Sequence, residues 1–143
     1  MSRIRTIKPE FWASEQVTNL SRDTRLLFIG IWNFSDDSGI HSRSPKRLKG
    51  EVFPHDEDIS TDDIERSLKE LVVQSLIVDY EVNGEKFIRV TGWGKHQKID
   101  KPTFKFPWPC GTIPSEKAQL NSLFDDYSTN AIRVLDPGKE RIG

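Results

Sequence analysis

The basic side chains of this sequence fall in short groups whose spacing suits phosphate binding. Arg43, Lys46, Arg47 and Lys49 crowd into one stretch beside Ser44-Pro45, a cap and a first-turn proline that open a short helix. Cations next to a helix N-terminus would neutralise phosphates; the alternative is a solvated helix face. Arg3, Arg5 and Lys8 precede the first acid, Glu10. They predict an extended arm that either reaches for phosphates beside a groove-binding helix or packs on the domain or a second subunit. Farther on, Lys95, Lys98, Lys101 and Lys105 are interleaved with Trp93, Phe104, Phe106 and Trp108. Cations for phosphate and rings for base stacking are what a nucleic-acid-binding segment needs. The same rings could instead cover a core, with Pro102, Pro107 and Pro109 holding the segment extended.

Other chemistry finds little support. The 3 histidines, His41, His55 and His96, are scattered, and no glycine-rich phosphate loop, nucleophile elbow or Cys-His arrangement is present. His96 with Lys95 and Asp100 could imitate a nuclease fragment, but no acid cluster supports a metal there. Asp36-Asp37-Ser38-Gly39 has paired acids, yet Gly39 comes too early for a calcium loop, so a turn is expected. Pro54 to Asp58 reads as an exposed acidic loop. No enzyme activity, metal or cofactor is expected.

Composition agrees with a binding protein of one domain. At 143 residues, with 35% hydrophobic and 30% charged side chains, the chain can bury one real core. No apolar run is long enough to span a membrane and no leader opens the chain. The single Cys110 forms no internal disulfide, which fits a cytoplasmic location. The net charge of −1 says nothing about a polyanion partner, so local distribution must carry that argument.

The elements that position these residues centre on Ser60 to Val90. Ile64, Leu68, Leu71 and Val72 recur at i, i+4, i+7 and i+8, predicting a helix from Thr61 to about Val73, capped by Ser60 or Thr61. After Gln74-Ser75 the period switches to two. Asn83-Gly84 then supplies a tight hairpin turn, placing Tyr80 opposite Phe87 and Glu81 opposite Lys86. Ser21 caps a strongly apolar helix running to Ser35, in which Gly30 is expected at a close helix approach. Ile40-His41-Ser42 is a short strand for the hairpin, and Pro9 starts a helical turn. A helix feeding directly into a hairpin is the second half of a winged helix-turn-helix. One feature resists that reading as a DNA reader. The helix from Thr61 carries Asp62, Asp63, Glu65 and Glu70 against Arg66 and Lys69, and its N-terminal turn, which would enter the major groove, is its most acidic part.

The strings RIRTIKPEFW, RLLFIGIWNFSDDSG and SPKRLKGEVFP, the hairpin and GWGKHQKIDKPT together resemble the N-terminal winged-helix domain of phage and prophage replication proteins, similar to replisome organisers and DnaD-like helicase-loading proteins. The resemblance covers about Met1 to Thr103. It agrees with the fold expected from the residues, an α+β winged helix-turn-helix with a three-helix core and a β-hairpin wing over residues 21–100. A basic arm and short helix precede it (1–20), and a Pro- and aromatic-rich extension with a helix from Ser115 to about Phe124 and a polar tail follows it (101–143). It also implies DNA, duplex or single-stranded, as partner, in replication initiation. Longer members carry a further C-terminal domain for replication partners, expected here to be absent or reduced to the segment after Thr112.

The expected DNA contacts are Arg3, Arg5, Lys8, Arg43, Lys46, Arg47, Lys49, Arg66, Lys69, Lys95, His96, Gln97, Lys98 and Lys101. Host or phage replication proteins and a second copy of the chain are further expected partners. The alternatives are a winged-helix interaction or dimerisation module whose acidic helix faces protein, and a transcriptional regulator.

Overall fold

The computed structural model describes residues 2–111 and 113. The expected helix from Ser115 lies outside the described residues. The chain is α+β. A 3₁₀ turn at Pro9–Ala13 leads to α1 (Glu15–Thr18) and α2 (Arg22–Phe34). Then come β1 (Ile40–Ser42), α3 (Pro45–Val52), α4 (Thr61–Val73), the hairpin β2 (Ile77–Val82) and β3 (Glu85–Val90), and α5 (Trp93–His96). The antiparallel sheet has the order β1-β3-β2.

Local chemistry accounts for most boundaries. Ser21, Ser44 and Ser60 each accept from a backbone N–H of the first turn of α2, α3 and α4. At α4 the cap is reciprocal, because the Asp63 carboxylate also accepts from the Ser60 N–H at 2.8 Å, forming a capping box. The helix ends in a Schellman arrangement: Leu76 N–H donates to Leu71 O and Ser75 N–H to Val72 O, each at 2.9 Å. Ser75 therefore takes φ 60°, a conformation usually left to glycine. The Thr91 hydroxyl, donating to Ser75 O at 2.8 Å, ties down this link. Asn83 and Gly84 both have positive φ, as the two-residue hairpin turn requires. Tyr80 faces Phe87 and Glu81 faces Lys86, as the spacing predicts.

The core joins α2, α3, α4 and the sheet through Leu27, Ile31, Leu48, Ile64, Leu68, Leu71, Ile77 and Ile88. Gly30 lies where α2 meets α3; a Cβ there would fall 2.6 Å from a Val52 methyl. The close approach expected of this glycine is present. The Thr24 hydroxyl of α2 lies 2.8 Å from the Ser67 hydroxyl and 3.0 Å from a Glu70 carboxylate oxygen of α4, so its one proton can go to the carboxylate while it accepts from Ser67.

The segments on either side of residues 21–100 belong to the same core. Phe106 and Trp108 pack with the buried side chains of the helices and sheet, and Trp108 is fully buried. The Tyr80 hydroxyl donates to Pro107 O at 2.6 Å, and Phe87 and Phe106 meet at 6.0 Å between ring centroids. Residues 103–108 thus cover the Tyr80-Phe87 face of the sheet. At the other end Phe11 packs against Phe28 and Trp32 of α2.

Candidate nucleic-acid interface

The loop after α2 is the joint of the molecule. Asp36 and Asp37, expected in an ordinary turn, are 0% and 1% exposed. One Asp36 oxygen accepts from Ser38 N–H, the Ser38 hydroxyl and Ile40 N–H; the other accepts from Lys105 N–H and Phe106 N–H. Asp37 holds Arg3 and Arg5 on its two oxygens and accepts from Thr103 N–H, while its backbone carbonyl accepts from the Trp93 indole. Buried carboxylate oxygens need hydrogen-bond partners to replace the water they have lost.

This joint redefines several expected phosphate contacts. The Arg5 side chain is 3% exposed; besides Asp37 it donates to Trp32 O and Ser35 O at the C-terminal end of α2, and lies 4.9 Å over the Trp93 ring. A cation there satisfies helix carbonyls and the negative end of the helix dipole. Arg3 is bound to Asp37 at 2.6 Å and its backbone pairs with Asn33. Gln97 is buried and grips the arm at two points: its carbonyl accepts from Thr6 N–H and its amide donates to Thr6 O. Arg3, Arg5 and Gln97 are therefore structural clamps in this fold. The arm packs on the domain.

The α3 cluster is likewise largely engaged. Arg43 forks onto both Glu65 oxygens, at 2.8 and 2.9 Å, and reaches Asp79 at 3.2 Å, joining α4 to β2. This arrangement holds Arg43 above its ordinary pKa, chiefly through Glu65, and holds Glu65 below its own. Arg47 pairs with Glu51, whose other oxygen lies 2.7 Å from His41. Lys49 donates to Phe53 O and Asp56 O and so closes the end of α3. Lys46 is exposed and meets no acid among the described residues. On α4, Arg66 pairs with Asp63 and Lys69 with Glu65 at 3.8 Å, both within the helix. These pairs reduce the acidity of the outward face without reversing it.

The basic-aromatic segment separates into two populations. Its rings turn inward: Trp93, Phe106 and Trp108 are buried and Phe104 packs on the core. They are core, the second of the two roles their spacing leaves open, and they present no stacking platform. Its cations turn outward, with Lys95, His96, Lys98, Lys101 and Lys105 all exposed. Lys8 joins them from the arm by donating to Lys95 O at 3.0 Å. Burial first, then Lys8 and Lys95, push the His96 pKa below its ordinary value.

Sequence spacing did not reveal this corner, because Lys8 and Lys95 meet only through the fold. Glu10 is the acid beside the corner, and the acidic turn of α4 lies elsewhere. Ile77 pairs with Val90 and Thr91 N–H donates to Leu76 O, so α5 and the arm stand near the C-terminal end of α4. Asp62 and Asp63 occupy its first turn, and the 13 residues of α4 span about 20 Å. That is more than two Debye lengths at physiological salt, about 8 Å each. Repulsion from the acidic turn is largely screened at the Lys8–Lys95 corner.

Among the described residues no group of acids, histidines and cysteine could hold a metal ion, and no helix is long and apolar enough to cross a membrane. No protein family, curated protein or solved structure matches the chain.

Proposed function

We propose that the chain is a winged-helix DNA-binding protein of phage or prophage replication initiation, and that its phosphate contacts lie at the corner formed by Lys8, Lys95, His96 and Lys98. The order helix, strand, helix, helix, hairpin, with β1 beside β3, supports the winged-helix reading. The observation that carries the DNA reading is the exposed cluster of Lys8 and Lys95 around His96, remote from the acidic turn of α4. Replication rather than transcription follows from the sequence resemblance alone, since a fold hosts many functions. Docking of this kind differs from insertion of a recognition helix, because the first turn of α4 would repel the backbone. The corner contacts phosphates, which position a protein on nucleic acid without reading its sequence.

Fluorescence anisotropy with labelled duplex and single-stranded DNA, at salt between about 50 and 200 mM, tests this. Each corner lysine that meets a phosphate contributes about 0.9 to the slope of log affinity against log salt on duplex DNA. Lys8→Ala/Lys95→Ala/Lys98→Ala should flatten that slope, and Lys46→Ala/Arg47→Ala should change it less. Absence of binding to either DNA form at low salt refutes the proposal.

A further inference from the structure

A cleft of about 420 Å³ opens between the arm and the body of the protein. It is framed by the 3₁₀ turn, α1, α2, the end of β3 and α5. Its inner wall is apolar, formed by Phe11, Val17, Phe28, Trp32, Leu76 and Val90. Lys8, Lys95 and His96 also line it, with Glu10 as the acid among them. Volumes of roughly 300–1,000 Å³ with apolar walls and few polar groups are typical of small-molecule sites.

The cleft is held open by construction. The Gln97–Thr6 clamp and the Lys8–Lys95 bond fix the arm across one side. Pro9 starts the 3₁₀ turn, which carries Phe11 back onto Trp32 at 5.3 Å between ring centroids. The arm bridges the space without filling it, although interiors of folded proteins otherwise close such apolar gaps. The charge is one-sided. Lys8 and Lys95 outnumber Glu10, so the lining offers an anion more positive than negative partners, and a charge-assisted hydrogen bond to an ammonium is one that a neutral guest cannot make.

We infer that this cleft binds a small amphipathic anion, an aromatic body seated against the apolar wall with a single sulfonate, carboxylate or phosphate group held by Lys8 and Lys95. The site stands independently of the DNA reading, since it needs only the cleft and its two lysines.

The probe is 8-anilinonaphthalene-1-sulfonate, titrated into the folded protein and read by energy transfer from tryptophan, since Trp32 and Trp93 line the cleft. N-Phenyl-1-naphthylamine, with the same rings and no sulfonate, serves as the neutral counterpart. Saturable binding of the sulfonate at one site is expected, weakened about tenfold or more in Lys8→Ala/Lys95→Ala, as loss of a charge-assisted hydrogen bond implies. The neutral compound should bind more weakly and be insensitive to that pair of substitutions. Ser14→Phe should block both compounds; Ser14 lines the cleft and makes no side-chain capping bond, so the fold loses no hydrogen bond there. Thermal unfolding of each variant, unchanged within a few degrees, establishes that the readout concerns the cleft. Three results overturn the inference. One is no saturable binding, as expected of a cleft covered by other residues of the chain or by a second copy. Another is sulfonate binding indifferent to the lysines, which would mark a purely apolar site. The third is binding that survives Ser14→Phe, which would place it elsewhere.

Discussion

The Arg5 guanidinium lies 2.9 Å from the Asp37 carboxylate, with the two side chains 3% and 0% exposed. A salt bridge this deep differs from a surface pair, because removing one partner leaves the other charge buried without its counter-ion. Asp37→Asn should therefore lower stability by about 3–5 kcal/mol. Urea unfolding would measure it. A loss below about 1 kcal/mol, the range of exposed pairs, would show that the arm contributes little to the fold.

The segment that covers the sheet should be a large contributor. Trp108 is fully buried and Tyr80 donates to Pro107 O. Trp108→Ala should cost about 3–5 kcal/mol, and Tyr80→Phe about 1 kcal/mol for the lost hydrogen bond. If residues 103–108 were a loosely attached tail, Trp108→Ala would leave the denaturation midpoint nearly unchanged.

Gly30 offers a test of packing against propensity. In an unconstrained helix interior, Gly→Ala gains about 1 kcal/mol. Here the new methyl would fall 2.6 and 2.7 Å from the two Val52 methyl groups. Gly30→Ala should be destabilising by about 1–3 kcal/mol, the usual range for overpacking. Val52→Ala, made in the same chain, should relieve most of that penalty in a double-mutant cycle.

Acidification should weaken the fold through His41. Burial lowers its pKa, with Glu51, 2.7 Å away, opposing the shift. In the unfolded chain histidine takes up its proton near pH 6.5, whereas in the folded protein uptake is delayed to lower pH. The unfolded state then binds more protons, so stability falls as the pH drops below about 6.5 and is unaffected well above it. His96, shifted the same way, adds to the trend. Denaturation at pH 7.5, 6.5 and 5.5 would measure the slope, and His41→Gln should reduce it. Stability rising on acidification would mean that the Glu51 ion pair outweighs burial.

Much of the fold was legible because its signals are local. Ser60 and Asp63 lie three residues apart, so their capping box needs nothing beyond the first turn of α4. Asn83-Gly84 forces a two-residue turn, and that turn alone sets the register of Tyr80 on Phe87. The short helix α5 was not expected, since four residues beginning after a left-handed Gly92 carry no readable period.

The candidate site was legible only as a set of cations. Sequence by itself determined the helices α2, α3 and α4, the hairpin, their caps and the groups of basic residues, because propensity, period and turn chemistry act over a few neighbouring residues. Tertiary structure decided which of those residues face solvent. Thr6 meets Gln97 across 91 positions, and Asp36 meets Phe106 across 70. No period connects such partners; topology brings them together, and burial then dictates that each buried donor or acceptor be matched. Arg3, Arg5, Arg43 and Gln97 became joints of the fold in this way, and Trp93, Phe106 and Trp108 became core. Lys8 and Lys95 remained at the surface as neighbours because the arm crosses α5, a juxtaposition that only the folded chain creates.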